Sequence, residues 1–261
     1  MIKCKGKINK AQMRRRGEKM KILSIGHSFS TDAQRYVHQI SVLNGEPIKA
    51  VNLYIGGCPL RKHYFNILED EKAYDFQFNG ESTGLHVSIK DALMSDTWDF
   101  VTLQQASFYS VDYKYYEPYL STIKEYVAKY APTAKLVVHQ TWAYSEESVL
   151  KSGVAAESSA DMLLKIKAAY ERMAKETEAV MTIRSGEAIA RVIENGIAEP
   201  HRDGHHVSVP LGRMMLGLLW FVAFTGKDAD TVALPNTDIP LTEEEIIAIR
   251  KTVKEVPAIR H

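Results

Sequence analysis

Residue types able to carry acyl transfer stand at two distant places in the chain. Ser28 lies in Gly26-His27-Ser28-Phe29-Ser30, and Asp203 and His206 lie in the histidine-rich stretch at 201–208. A serine hydroxyl becomes a good nucleophile when an imidazole takes its proton, and the imidazole needs a carboxylate to hold its Nδ1 proton and leave Nε2 free. With two residues between Asp203 and His206, a loop can fold the carboxylate back onto the ring. The competing readings are structural: a helix-capping serine and a polar turn rich in Asp and Gly. Ser30, Thr31 and Asp32 lie nearer the helical pattern than Ser28 and are good caps themselves, so capping does not require Ser28.

Three other chemistries compete for the same residues. His201, Asp203, His205 and His206, with His27 approaching from the first strand, have ligand types that suit zinc, although no regular helical spacing aims them at one point. An α/β-hydrolase elbow requires G-x-S-x-G, and here its second glycine is Ser30. Cys58, beside Gly56-Gly57, could act as a nucleophile, but a lone cysteine more often packs as a small apolar group.

The elements that must position these groups follow from the alternation of short apolar runs with longer amphipathic ones, the pattern of βαβ units in an α/β domain. Five strands are expected, at 21–26, 48–55, 99–104, 135–142 and 179–184, forming a mostly parallel sheet. Helices are expected at 31–43, 84–95, 116–130, 158–176, 209–225 and 242–254, the last with a capping box of Thr242 and Glu245. In such sheets ligands bind beyond the carboxyl ends of the strands. Those ends carry His27 and Ser28, Gly56 and Gly57, Gln104 and Gln105, and Trp142. The aromatic segment at 108–119 and Trp142 could stack on a sugar ring or pack in the core.

The chain has 261 residues, 45% apolar and 25% charged, as expected of an ordinary globular domain, here read as one domain over 20–261. Its 33 basic and 32 acidic residues create no net field to attract nucleic acid or an anionic membrane. A small-molecule ligand is the expected partner. Residues 1–19 read as a loose basic extension without the apolar stretch of a signal peptide, and two cysteines provide no disulfide framework, so a cytoplasmic location is expected. The apolar run at 214–224 is too short to cross a bilayer and reads as a buried helix.

Together, the serine segment and Asp203-x-x-His206 resemble the SGNH (GDSL-like) hydrolase superfamily. IGHSFS, IGGCPLRKHY, DFVTLQQAS, HQTWAYS and DGHHVS resemble its bacterial DUF4886 branch in particular, over about 21–225. The resemblance implies a flavodoxin-like three-layer α/β/α sandwich and hydrolysis of a small acyl ester, an acetylated carbohydrate among the candidates, with no metal or organic cofactor. It also implies a triad of Ser28, His206 and Asp203, with an oxyanion hole from the backbone of Ser28, from Gly57 or its neighbour Gly56, and from a side-chain amide. The superfamily usually supplies that amide from an Asn after the third strand. Here Gln104 stands in its place, with Gln105 as fallback. Trp142, His27 and Gln105 are the expected substrate-binding residues. A degenerate, non-catalytic carbohydrate-binding domain and a metal-dependent hydrolase built on the 201–206 loop are the alternatives.

Overall fold

The computed structural model describes residues 19–261, so the basic extension expected over 1–19 lies, apart from Lys19, outside the described residues. The chain begins with β1 (Met20–Gly26), α1 (Ser28–Gln34), α2 (Val37–Leu43), β2 (Ile48–Tyr54) and α3 (Leu60–Glu69). A hairpin of β3 (Tyr74–Phe78) and β4 (Glu81–Val87) follows, then α4 (Ile89–Met94) and β5 (Phe100–Leu103). Next come α5 (Tyr119–Tyr130), β6 (Lys135–His139), α6 (Glu146–Ser152), α7 (Ser159–Thr177) and β7 (Met181–Ile183). The chain closes with α8 (Ser185–Glu194), α9 (Leu211–Thr225), α10 (Glu243–Glu255) and β8 (Ile259–Arg260).

All strands among the described residues join one sheet in the order β4-β3-β2-β1-β5-β6-β7-β8. The five expected strands form its contiguous parallel centre, buried on both faces by residues such as Ile22, Leu23, Val101, Val137 and Val138. The sheet therefore has eight strands where five were expected, the additions being antiparallel edge strands. One of them explains the failed expectation of a helix over 84–95. Asn79 and Gly80 both have positive φ, the two-residue turn that favours a hairpin, and a Cβ on Gly80 would lie 2.6 Å from the Arg35 carbonyl. The helix starts only at Ile89, behind a capping box of Ser88 and Asp91. Similarly, the stretch expected as one helix at 31–43 starts earlier and divides into α1 and α2.

The other expected helices correspond to α5, α7, α9 and α10, and the Thr242–Glu245 capping box is present. Helices α1, α2, α8, α9 and α10 pack with one another on one face, and α3, α4, α5 and α7 on the other, giving the three-layer arrangement. Helix α9 is almost wholly buried, and no helix among the described residues is long and apolar enough to cross a membrane.

Register determines where the strands end together. Ile25 pairs with Leu53 on one side and Leu103 on the other, and Leu103 pairs with Val138. The segments after β1, β2, β5 and β6 consequently leave from one edge. The chain runs from β1 to β2 on one side and later to β5 on the other, so a crevice opens beyond β1 and β5.

Three histidines are buried in this framework. His27 interacts with the Gln105 carbonyl, His63 Nδ1 lies 2.9 Å from the Tyr74 hydroxyl, and His139 lies between Gln104 and Ser185. Burial pushes His27 down to about 4 and His63 and His139 to about 3, so all three are neutral in the fold. Unfolding frees each to take a proton at its ordinary value of 6.5, so the unfolded chain binds more protons below that value and stability falls as the pH is lowered through it. The loss should reach ~2 kcal/mol per histidine at pH 5. Urea unfolding at pH 7 and pH 5 checks this: the midpoint should drop sharply at pH 5, and an unchanged or higher midpoint would contradict neutral burial.

Candidate active site

Ser28 is the first residue of α1, placed where β1 ends. The N-cap is His27, whose Nδ1 accepts the Phe29 N–H at 3.3 Å while Nε2 faces the Gln105 carbonyl at 3.1 Å. Accepting at Nδ1 places the ring proton on Nε2, where it donates to that carbonyl. His27 therefore joins the start of α1 to the segment after β5, which fixes the direction in which Ser28 leaves the helix.

The 201–208 segment is a closed loop. His201 bridges Val207, the Arg202 N–H donates to the His206 carbonyl at 2.9 Å, and the Ser208 N–H donates to the Pro200 carbonyl at 2.7 Å. Gly204 turns its tip with φ +83°, and a Cβ there would lie 1.9 Å from Ser148 Oγ. The loop is held from below: the Ser145 N–H donates to the Gly204 carbonyl at 2.7 Å, and Trp142 Nε1 donates to the His205 carbonyl at 2.6 Å.

These two pieces meet. His206 Nε2 lies 2.8 Å from Ser28 Oγ although 178 positions separate them, and His206 Nδ1 lies 2.7 Å from Asp203 Oδ2. Asp203 Oδ1 also accepts the backbone N–H groups of His206 at 2.7 Å and His205 at 3.2 Å. Burial opposes the charge on Asp203, but these donors and the His206 ring outweigh it and hold the carboxyl well below the usual carboxylate range. An ionised Asp203 keeps the imidazole proton on Nδ1 and leaves Nε2 to accept from the serine.

Two supports beneath this line were not expected from the sequence. Phe29 stacks on Trp142 with ring centroids 3.7 Å apart and an interplanar angle of 2°, so the residue after Ser28 packs on the ring that anchors the His205 carbonyl. Asp32, one turn along α1 and only 1% exposed, accepts Arg202 Nη1 at 3.0 Å and Arg213 Nε at 2.8 Å. That carboxylate ties the helix that begins at Ser28 to the loop that carries His206 and to α9. Its sequence signal is the (i, i+4) spacing from Ser28, which puts both on one helix face.

Ser28 and His206 line a cleft of about 380 Å³ together with Gly57, Tyr54, Ser107 and Tyr144. Gly57 has φ +58° and sits on the exposed rim. A larger cavity of about 820 Å³ runs along α7 towards His261, but no serine or cysteine among the described residues lines it, so chemistry favours the smaller one.

Several expected site residues stand elsewhere. The Gln104 amide nitrogen lies 3.0 Å from His139 Nδ1 and its oxygen accepts from Ser30 Oγ, so strand geometry turns this side chain into the core. Gln105 Oε1 accepts the Leu60 and Ala106 N–H groups and its Nε2 donates to the Tyr115 carbonyl, a loop-bracing role where substrate contact was expected. Trp142 is fully buried and supports the site from beneath instead of facing a ligand. His27 reaches the cleft wall, but both ring nitrogens are engaged. Cys58 is buried and its thiol is pushed up to about 12 by burial, the outcome of a packing role.

The metal alternative also has a geometric counterpart. Asp203, His205 and His206 bring one ligand atom each within 4.8 Å of one another, while His201 stands outside this group. Both His206 ring nitrogens already have partners, so gathering an ion there would break the contact to Ser28 or to Asp203.

The family model described as a domain of unknown function, DUF4886, matches residues 21–245. The crystal structure of a DUF4886 family protein from Bacteroides uniformis is similar over 91% of this chain and 95% of that one, at 28% sequence identity and a TM-score of 0.83. A protein described as a GDSL-like lipase from Parabacteroides merdae is similar in fold over 79% of this chain and 95% of that one, at 13% identity and a TM-score of 0.54. No curated protein matches the chain. The chain belongs to the DUF4886 family, built on the fold of the SGNH (GDSL-like) hydrolases.

Proposed function

We propose that the protein is a serine esterase that removes a small acyl group, with Ser28 as nucleophile, His206 as general base and Asp203 as its orienting acid. The hydrogen-bonded line from Asp203 through His206 to Ser28 carries this reading. Ser28 Oγ attacks the ester carbonyl carbon as His206 Nε2 takes the hydroxyl proton, giving a tetrahedral intermediate. His206 then protonates the departing alcohol, and water, activated in the same way, releases the acid and restores Ser28.

The negative oxygen of the intermediate needs donors. The backbone N–H groups of Ser28 and Gly57 fill this role. With Gln104 turned into the core, the side-chain donor is assigned to Ser107, whose hydroxyl pairs with the Tyr144 hydroxyl at 2.8 Å on the cleft wall. A small acyl group suits the cleft because no Leu, Ile, Val or Met among the described residues lines it, leaving no apolar sleeve for a long chain. An acetylated sugar is the substrate class that this polar and aromatic lining favours.

Hydrolysis of 4-nitrophenyl acetate tests the reading. Ser28→Ala should lower kcat by about 10⁴-fold or more, and Asp203→Asn by about 10³- to 10⁴-fold through the wrong His206 tautomer. Because the Asp203 carboxyl is held well below the usual carboxylate range, mild acidification should not cost rate through protonation of Asp203. A chelator should change nothing. Activity lost with chelator, restored by zinc and retained in Ser28→Ala would favour the metal reading instead, and a wild type that binds acetylated sugars without any turnover would favour the non-catalytic one.

Ser107→Ala should reduce kcat by about 10- to 100-fold with KM changed less than about twofold, since the lost donor acts on the transition state. Steady-state kinetics of the variant, with its melting temperature alongside, decide this. An unchanged kcat would remove Ser107 from the mechanism.

A further inference from the structure

A second cavity of about 300 Å³ opens beside the cleft over Ser28, and the two share Phe108, Tyr144 and His205 as a common wall. Its far end is formed by Ser148, Lys151 and Ser152 of α6. The same helix is joined to the base-bearing loop, since the Ser145 N–H holds the Gly204 carbonyl and Ser148 Oγ occupies the space a Gly204 Cβ would need. The second cavity and the position of His206 are therefore built as one unit.

Its chemistry is specific. Among the described residues, no aliphatic side chain longer than alanine lines either cavity, apart from the stem of Lys151. Instead Phe108 keeps 40% of its surface open to water, Tyr144 meets the His205 ring edge-on at 5.5 Å, and two serine hydroxyls and an ammonium group stand at the far end. The Ser152 hydroxyl donates to the Val149 carbonyl at 3.2 Å and Lys151 pairs with Glu147, so the Ser148 hydroxyl and the remaining ammonium protons stand as donors beside the aromatic faces, a set that suits a saturated ring with apolar C–H faces and a hydroxylated edge, which is a sugar. The side on which this ring lies also follows from the geometry. The His205 ring, which lines this cavity, lies 4.1 Å from the His206 ring, and His206 must hand its proton to the leaving alcohol, so the alcohol half of the ester is assigned to this side.

We propose that the second cavity is a subsite for the alcohol side of the substrate. It takes a further ring of an acylated glycan whose acylated ring lies over Ser28. The inference rests on the serine-esterase reading and adds that the substrate has at least two sugar rings.

The probes are methyl glucoside and methyl cellobioside, each acetylated at one hydroxyl of the ring that lies over Ser28. The two-ring ester should have a kcat/KM higher by about tenfold or more, equivalent to one modest subsite interaction. Ser152→Trp, which fills the second cavity alone, should bring the ratio of the two substrates close to one. Equal kcat/KM values in the wild type would overturn the subsite. So would a preference for 4-nitrophenyl octanoate over the acetate that Ser152→Trp abolishes, since the groove would then hold an acyl chain. Titration calorimetry of Ser28→Ala with the same two esters reads the subsite without turnover: tighter binding of the two-ring ester supports it, and equal binding contradicts it. A wild type that turns over neither 4-nitrophenyl acetate nor the sugar esters would defeat the esterase reading, while the calorimetry would still decide the subsite.

Discussion

The site depends on one buried carboxylate. Asp32 stands a turn beyond Ser28 and receives one arginine from the loop that carries His206 and another from α9, so three distant parts of the chain converge on it. Such an ion pair adds little net stability compared with an apolar replacement, but removing one partner strands a charge, at a cost of ~3–5 kcal/mol for a fully buried pair. Its contribution is therefore better understood as specificity of arrangement. A serine and an imidazole 178 positions apart meet within hydrogen-bond distance, and a shift of about an ångström between α1 and the loop would break that contact. The stack of Phe29 on Trp142, with Trp142 holding the His205 carbonyl, applies the same constraint from beneath.

The fold also assigns its histidines to different tasks. His27, His63 and His139 are buried, kept neutral by desolvation, and used as fixed donors and acceptors in the framework. His206 is 20% exposed and has a carboxylate on one ring nitrogen and a serine on the other, so its ring bridges two side chains at the cleft instead of bracing the framework. His205 lies between these cases: burial and its neighbour His206 lower its basicity, which suits a wall residue more than a second base.

Much of this was legible in the sequence because it depends on local spacing. Asp203 and His206 interact across a four-residue turn, Gly204 supplies the left-handed residue that turn needs, and the five parallel strands are nearly continuous apolar runs. Properties set by tertiary direction were not legible. Gln104 follows a buried strand, and nothing local reveals that Ser30 and His139 lie across the core to receive its amide. Trp142 at a strand end could face either way, and its burial followed from the partner ring of Phe29. The β3–β4 hairpin had a local signal in Asn79-Gly80, but apolar residues spaced through 84–95 mimic a helical stripe across the end of β4 and the start of α4. The Asp32 clamp joins residues about 170 and 181 positions apart, beyond any pattern within one segment.

The central claim is that His206 makes the Ser28 hydroxyl nucleophilic. Mass spectrometry of the protein after brief exposure to a fluorophosphonate, which captures activated serines by displacement of fluoride, tests it directly. The account predicts a single adduct on the peptide bearing Ser28 in the wild type, formed at least about 100-fold more slowly in a folded His206→Gln variant. No adduct on Ser28, or labelling that proceeds at the wild-type rate without His206, would contradict it.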